Sequence, residues 1–236
     1  MKKAVFLLVV ILFFASCNQE TNDEPTPQKA APVLELTSSE APFTTTTTVK
    51  FYKDISYGTD EKNAFDFFAP TSDQATPLLI YIHGGGFTGG DKRAIYNDQA
   101  FINSLLDKGI AFATINYRLL GENETEGVIK SLNDSKTALQ FIRYYASSFN
   151  IDKNKVALMG GSAGAGTSLW IGLNNELADP NASDDIMKES TRVQAIIATN
   201  TQSTYDVLAW DTAVFSEYQN QRMNDDFIMG MAGEST

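Results

Sequence analysis

The chain has 236 residues, of which 43% are hydrophobic and 20% are charged, a composition typical of a globular protein with one large domain or two small ones. Its single cysteine excludes an internal disulfide framework and Cys-rich zinc modules, and its single histidine excludes every site that needs two imidazoles. The formal net charge of −11 offers no basic surface to a polyanion. We therefore expect no nucleic-acid partner.

The first residues predict an export signal. Met1-Lys2-Lys3 is a cationic start, and residues 4–15 are all apolar, a run too short to span a bilayer. The run ends in Phe14-Ala15-Ser16-Cys17, which resembles the lipobox of bacterial lipoproteins. The resemblance implies a signal peptide over residues 1–16, a lipid on Cys17 that anchors the protein to a membrane, and a location in the bacterial cell envelope. An ordinary secretory signal with an incidental cysteine is the alternative.

Residues 17–48 predict a disordered tether between the lipid and the folded body. The segment is rich in Pro, Thr, Ser, Glu and Gln, and it ends in five consecutive threonines. Such a composition offers few side chains that can be buried. We therefore expect the folded domain to occupy residues 49–236.

Within that domain, short apolar runs alternate with segments of helical periodicity. The runs predicted as strands are residues 50–57, 65–68, 77–82, 110–115, 155–159 and 193–199. The segments predicted as helices are residues 96–108, 129–148 and 163–177. Strands that alternate with helices are typical of a largely parallel sheet covered on both faces. The predicted fold class is therefore α/β.

Two glycine-rich junctions each follow a predicted strand and precede a helix. The first is HGGGF at residues 83–87, and the second is GGSAG at residues 160–164. A sharp strand-to-helix turn leaves no room for side chains beside Ser162 and exposes the serine hydroxyl above the strand ends. Ser162 is therefore the candidate nucleophile.

Backbone N–H groups supply the second half of the predicted chemistry. Glycines carry no Cβ that would block their N–H groups from the oxygen that becomes negative when a carbonyl is attacked. We assign the oxyanion hole to the N–H groups of Gly85, Gly86 and Ala163, with Gly84 as an alternative to one of the first two. A phosphate cradle is the other use of such a loop, but no G-K-[ST] ending follows.

The pairing of an HGGG motif with a G-x-S-A-G turn resembles the α/β-hydrolase superfamily, in particular its esterases and lipases. The run HGGGFTGGDK at residues 83–92 is similar to a branch of bacterial carboxylesterase-like proteins that includes esterases of acylated plant carbohydrates. Further matches, within a resemblance that covers residues 49–199, are Tyr57-Gly58, Asp66, Pro70, Tyr117-Arg118-Leu119 and Asn150-Ile151-Asp152. The resemblance implies hydrolysis of a small-molecule or carbohydrate ester through an acyl-enzyme, with no cofactor and no metal.

The histidine content departs from the family pattern. In these enzymes the triad runs in the chain order Ser, then Asp or Glu, then His, but no histidine follows Ser162. The resemblance implies that His83 supports the HGGG motif; as a general base it would compete with the donors beside it. Asp206 and Asp211 are candidate acids, although solvated loop positions are the plainer interpretation. Without an imidazole after the nucleophile, we expect these residues alone to be nearly inactive.

We accordingly expect the sequence to be the N-terminal part of a longer esterase. The strand at residues 193–199 would be the sixth of the family's usual eight, and residues 200–236 would begin a lid-like insertion. The catalytic acid and histidine would follow, with the last strands. A catalytically inactive α/β-hydrolase-like binding protein is the alternative, and a serine peptidase of the prolyl type is a further one.

Overall fold

The computed structural model describes residues 32–121 and 125–201. The predicted signal peptide, Cys17 and residues 202–236 of the predicted lid lie outside them. The strands are β1 (Val49–Ser56), β2 (Ala64–Pro70), β3 (Thr76–Ile82), β4 (Ala111–Ile115), β5 (Ile151–Gly161) and β6 (Ala195–Thr199). The α-helices are α1 (Gln99–Leu106), α2 (Val128–Tyr144), α3 (Ala146–Phe149) and α4 (Ala163–Leu173), and the 3-10 turns are Lys92–Asn97 and Asp185–Lys188.

The six described strands form one sheet in the order β1-β2-β4-β3-β5-β6. β1 and β2 make an antiparallel hairpin, and β2 is also antiparallel to β4. Strands β3, β4, β5 and β6 run parallel to one another, which confirms the α/β class with a largely parallel sheet. The carboxyl ends of parallel strands meet at one edge of a sheet, where α/β proteins bind ligands. Both glycine-rich junctions lie at that edge, because one follows β3 and the other follows β5.

Several element boundaries differ from the predicted ones. The helix predicted at residues 96–108 is a 3-10 turn followed by α1, because the Asp98 carboxylate accepts the N–H of Phe101 at 3.1 Å and so caps a new helix. The helix predicted at residues 129–148 is divided into α2 and α3 at Tyr145. α4 ends at Leu173, four residues earlier than predicted, where Asn174 takes extended backbone angles.

Apolar side chains pack on both faces of the sheet. Phe67 and Phe68, neighbours in β2, belong to different clusters because successive side chains of a strand point to opposite faces. The cluster of Phe67 includes buried residues of α2 and α4, and the cluster of Phe68 includes buried residues of α1. Within residues 32–121 and 125–201, no helix has the length and apolar character needed to cross a membrane.

The prediction of a disordered tether is wrong for residues 32–48, which we call the N-terminal strap. The N–H of Leu34 donates to Ser148 Oγ at 2.8 Å, Ser39 forms a β-bridge with Phe51 of β1, and the ring of Phe43 stacks on Phe68 with centroids 5.4 Å apart. The strap thus crosses from the α2 side of the sheet to the α1 side and covers part of edge strand β1. Covering an edge strand removes a surface on which other chains could pair.

Candidate active site

Ser162 occupies the turn between β5 and α4. Its backbone angles, φ 52° and ψ −119°, lie in a region that residues other than glycine rarely adopt. Its N–H donates to the Thr199 carbonyl at the end of β6, and its carbonyl accepts the N–H of Gly166, both at 3.0 Å. The half-buried hydroxyl makes no hydrogen bond to the described part of the chain. The main chain is therefore fixed, while no described residue is bonded to Oγ.

Close packing explains the glycines on both sides of Ser162. A Cβ at Gly164 would lie 2.0 Å from the carbonyl oxygen of Ile82, and a Cβ at Gly160 would lie 2.3 Å from the carbonyl oxygen of Gly164. Helix α4 therefore begins in direct backbone contact with the ends of β3 and β5. Only residues without a side chain allow this approach.

The HGGG loop, residues 83–91, follows β3 and folds back on itself. The carbonyl of Gly85 accepts the N–H groups of Thr88 and Gly89 at 3.1 and 3.0 Å. Gly85 and Gly86 have φ values of 118° and 62°, which glycine adopts without a steric penalty. Phe87 follows, with its ring buried in the core. The loop is thus closed by its own backbone and anchored by one aromatic side chain.

The bonds made by these carbonyls fix the directions of the next N–H groups. In a trans peptide the N–H points away from the preceding C=O. The carbonyl of Gly84 accepts a hydrogen bond from His83 Nδ1 at 2.7 Å, and that of Gly85 is held as described above. The N–H groups of Gly85 and Gly86 therefore point out of the loop. Neither they nor the N–H of Ala163 have an acceptor among the described residues.

The two junctions lie side by side. A Cβ at Gly84 would lie 2.7 Å from the carbonyl oxygen of Gly161 and 3.4 Å from Ser162 Cβ. The structure thus brings the loop that carries Gly85 and Gly86 against the turn that carries Ser162 and Ala163. A hydroxyl next to fixed N–H donors without partners is an arrangement suited to acyl transfer.

His83 is committed to the HGGG loop. Its ring is 2% exposed and stacks on Tyr117 with centroids 4.3 Å apart. Because the Gly84 carbonyl can only accept, Nδ1 carries a proton and is the donor of their hydrogen bond. Burial lowers the pKa of His83 and outweighs the opposing effect of this bond, so the ring is neutral at pH 7. The expectation that His83 supports the loop is confirmed, and its ring is not hydrogen-bonded to Ser162.

Lys92, directly after the HGGG loop, is a buried cation whose role the sequence did not predict. Its side chain is 1% exposed, and its ammonium donates to Asp66 at 2.8 Å and to Asp54 at 2.6 Å. The Asp66 carboxylate also accepts the hydroxyl of Tyr96. The G-D-K run and Asp66 both belong to the family resemblance, which is the one signal that could have drawn attention to the pair. Lys92 and Asp66 are 26 residues apart, so no local periodicity connects them.

A second ion pair holds the segment after β4. The Arg118 guanidinium donates to the Asp134 carboxylate of α2 at 2.7 and 2.8 Å, and the amide of Asn63 donates to the same carboxylate at 2.8 Å. Hydrogen bonding to Asp134 raises the pKa of Arg118 above its usual range. The neighbouring Tyr117 donates its hydroxyl to the carbonyl of His83 at 2.8 Å. This segment therefore links the HGGG loop to α2.

Comparison with known proteins places this geometry in a family. The BD-FAE family profile matches residues 65–235, well over half of the chain, and the match includes both glycine-rich junctions. The chain belongs to the BD-FAE family. BD-FAE proteins are α/β-hydrolase esterases, so the resemblance to that superfamily is confirmed.

Several proteins similar to this BD-FAE chain are named as esterases. Gut esterase 1 of Caenorhabditis elegans is 26% identical over 161 residues, which are 65% of this chain and 28% of the relative. A truncated carbohydrate esterase from gut microbiota has the same fold, with a TM-score of 0.52, 20% identity, and coverage of 70% of this chain and 57% of that one. Esterase B from Lactobacillus rhamnosis gives a TM-score of 0.55, 19% identity, and coverage of 78% and 57%. The chain therefore spans little more than half of these structures and about a quarter of gut esterase 1.

Three predicted residues of the BD-FAE chain lie outside the part that the structure describes. Asp206 and Asp211, the candidate acids, lie outside the described residues, as does Cys17. In the described part of the chain, no group of three or more His, Cys, Asp or Glu side chains is arranged to hold a metal ion. The loop beside Ser162 carries backbone N–H donors that have no acceptor among the described residues, and such donors suit an oxyanion.

Proposed function

We propose that this chain is part of an enzyme that hydrolyses carboxylic esters, with Ser162 as the nucleophile. One observation carries the proposal: the unbonded Ser162 hydroxyl, on a strained strand-to-helix turn, lies next to the loop of Gly85 and Gly86. The N–H groups of those glycines and of Ala163 have no acceptor in the described part of the chain. Membership of an esterase family supports the same reaction class.

In the proposed first step, Ser162 Oγ attacks the ester carbonyl carbon and loses its proton to a base. The carbonyl oxygen becomes negative and accepts hydrogen bonds from the N–H groups of Gly85, Gly86 and Ala163, each of which can lower the barrier by about 3 kcal/mol. The C–O bond to the alcohol then breaks, the alcohol leaves with the proton, and the acyl group stays on Ser162. Attack by water repeats the sequence, releases the carboxylic acid and restores the serine hydroxyl.

The proton acceptor is not identified by the described residues. His83 is the only histidine in the 236 residues, and its ring is bonded to the Gly84 carbonyl. If the base is an imidazole, as in the Ser–His–Asp arrangement, it comes from outside these 236 residues. We therefore propose that the complete enzyme supplies this base and a carboxylate that orients it.

Acylated carbohydrates are the substrate class that we propose, with other small-molecule esters as the alternative. The HGGGFTGGDK run supports carbohydrate esters, and so does the similarity in fold to a carbohydrate esterase from gut microbiota. We also propose that a lipid on Cys17 anchors the enzyme in the bacterial cell envelope. The apolar run before Cys17 supports the anchor.

A catalytically inactive binding protein is the second candidate function. It is favoured by the commitment of the only histidine to the HGGG loop, which leaves Ser162 without an imidazole in this chain. Such a protein would use the same N–H groups to bind an acyl or saccharide ligand without turnover. A peptidase of the prolyl type is a weaker alternative, because the HGGG loop favours ester substrates.

A fluorescent fluorophosphonate probe, applied to the gene product at its natural length, tests these proposals, with Ser162→Ala as the control. We expect the probe to label the wild type alone, and Ser162→Ala to lower the hydrolysis of acetylated xylo-oligosaccharides at least 1,000-fold. Saccharide binding by a wild type that is neither labelled nor active would contradict the enzyme and support the binding protein. Labelled protein should pellet with membranes and become soluble in Cys17→Ser; pelleting of both would refute the lipid anchor.

A further inference from the structure

We infer that Lys92 is a positioning residue for the oxyanion hole, an inference that rests on the proposed esterase function. The buried ammonium fixes the point where the chain leaves the HGGG loop. This exit contacts the Gly84–Gly85 peptide, whose orientation sets the direction of the Gly85 N–H. The Lys92 side chain therefore acts on the reaction through the backbone and touches no substrate.

The exit of the loop is in contact with its beginning. A Cβ at Gly90 would lie 2.3 Å from the carbonyl oxygen of Gly84 and 2.4 Å from His83 Nδ1. That carbonyl is the acceptor of the His83 hydrogen bond, and in the trans peptide it points in the direction opposite to the Gly85 N–H. A shift of the Gly90 backbone would therefore move the Gly84–Gly85 peptide directly.

Residues 91 and 92 hold this exit with main-chain and side-chain bonds. The N–H of Lys92 donates to Asn116 Oδ1 at 2.6 Å, and its carbonyl accepts the hydroxyl of Thr114 at 2.7 Å. The amide of Asn116 donates to the Asp91 carboxylate at 3.1 Å. The ammonium adds the bonds to Asp54 and Asp66. The exit is thus tied to β4, to β2 and, through Asp54, to β1.

Asp54 is held in an unusual conformation at this contact. β1 has an irregular register between Tyr52 and Ile55, and Asp54 within it has a φ of 53°. Its N–H donates to Asp66 Oδ1 at 2.7 Å while its carboxylate accepts the Lys92 ammonium. Bulges redirect side chains beside active sites, and a non-glycine residue at positive φ persists only where its surroundings require it. The strand is therefore bent at the position that supplies the second carboxylate.

Stability alone does not account for this arrangement. Apolar side chains of similar volume commonly stabilise a fold as much as a buried ion pair does, because burying charges costs solvation. The two carboxylates instead fix the position of the Lys92 ammonium, because a cation hydrogen-bonded to two fixed acceptors can occupy only one place. Precise placement is what an oxyanion hole requires of its donors.

The test compares two buried cations by replacing each with methionine in the natural-length protein. Lys92→Met removes the proposed support, and Arg143→Met is the matched control. Arg143 is 4% exposed, and its guanidinium donates to the carbonyls of Ser190 and Arg192 in the segment before the start of β6, at the opposite end of the strand from the site. Both variants should lose stability, so stability does not separate a positioning role from a structural one.

Three measurements on these variants do separate the roles. For Lys92→Met we expect kcat to fall at least tenfold with KM within twofold of wild type, and the Ki of a trifluoromethyl ketone, which forms an oxyanion on Ser162, to rise by the same factor. In ¹⁵N relaxation, the amide order parameters of Gly85 and Gly86 should fall. Arg143→Met should change none of the three. If Lys92→Met does not fold, Asp54→Asn, at a half-exposed carboxylate, should show the same pattern more weakly.

The outcomes keep this inference distinct from the proposed function. If the wild type hydrolyses esters and Lys92→Met behaves like Arg143→Met in kcat, Ki and relaxation, the positioning role is refuted. If the wild type shows no hydrolysis, the proposed function fails. The relaxation data then still decide whether Lys92 orders the amides of Gly85 and Gly86.

Discussion

Replacing Gly164 by alanine tests the close contact on which the Ser162 turn depends. In an exposed helix this change would stabilise by about 1 kcal/mol, because alanine has the higher helix propensity. Here the added Cβ would lie 2.0 Å from the carbonyl oxygen of Ile82 and 2.8 Å from that of His83. Carbon–oxygen contacts are normally about 3.3 Å or longer, so the backbone must shift by about 1 Å. Overpacking typically costs about 1–3 kcal/mol and occasionally more. Because this contact is with backbone that cannot rotate away, we expect a cost of about 4 kcal/mol, which leaves a net loss of about 3 kcal/mol after the gain in helix propensity.

Thermal unfolding followed by circular dichroism measures this loss. In a domain of 150–250 residues, 1 kcal/mol corresponds to about 2–4 °C, so Tm should fall by about 6–12 °C. Gly109→Ala is the control for backbone strain alone, since Gly109 has a φ of 71° and no atom within 4 Å of an added Cβ; it should cost about 1 kcal/mol. Gly121→Ala has neither strain nor clash and should change Tm by less than about 2 °C.

The comparison also has a functional readout. Gly164→Ala should abolish fluorophosphonate labelling of Ser162, because the backbone shift occurs only two residues after the nucleophile. Gly109→Ala should leave the labelling unchanged. A Tm of Gly164→Ala within 2 °C of that of Gly109→Ala would contradict this expectation, since the close contact would then have no energetic consequence.

Two further predictions concern His83 and the N-terminal strap. Burial lowers the pKa of His83 in the folded state, so the unfolded chain takes up the proton first as the pH falls. The contribution of neutral His83 to stability is therefore complete above about pH 6.5 and is lost below it. The Tm difference between wild type and His83→Gln should accordingly narrow from pH 8 to pH 5. A Tm difference that stays constant over this range would contradict a buried, neutral His83 ring. Phe43→Ala removes ring contacts with Phe68 and Tyr96 at 5.4 and 5.8 Å and should lower the free energy of unfolding by about 1–2 kcal/mol. It should also speed proteolysis within residues 32–48, whereas alanine at Val33, which is 80% exposed, should not; equal rates would show that the ring does not hold the strap.

The sequence predicted those parts of the fold that are determined by short stretches of neighbouring residues. β3 and β4 are almost wholly buried, and each appears in the sequence as a short apolar run. The glycine-rich junctions were recognisable for the same reason, because only residues without side chains fit where a helix begins against strand ends. The boundary at Asp98 was missed because a side-chain cap, and not a change in periodicity, starts α1.

The errors and omissions arise from contacts between distant residues. The composition of residues 32–48 predicts disorder, yet Leu34, Leu36 and Phe43 are enough to attach the strap, since they meet apolar surface far away in the sequence. Lys92 and Asp66 both belong to the family resemblance, but only the folded sheet shows that they form an ion pair. The two residues of such a pair are too far apart in the sequence to produce a periodic pattern within one helix or strand.

The N-terminal strap also limits how far the folded domain could lie from its proposed lipid anchor. A segment with the length of residues 18–48 spans at most about 110 Å, whereas one with the length of residues 18–31, which precede the strap, spans at most about 50 Å. The volume that the domain can sample around a lipid on Cys17 falls about tenfold. The domain would then stay within about its own diameter of that membrane, and the proposed ester substrates would have to diffuse to it there.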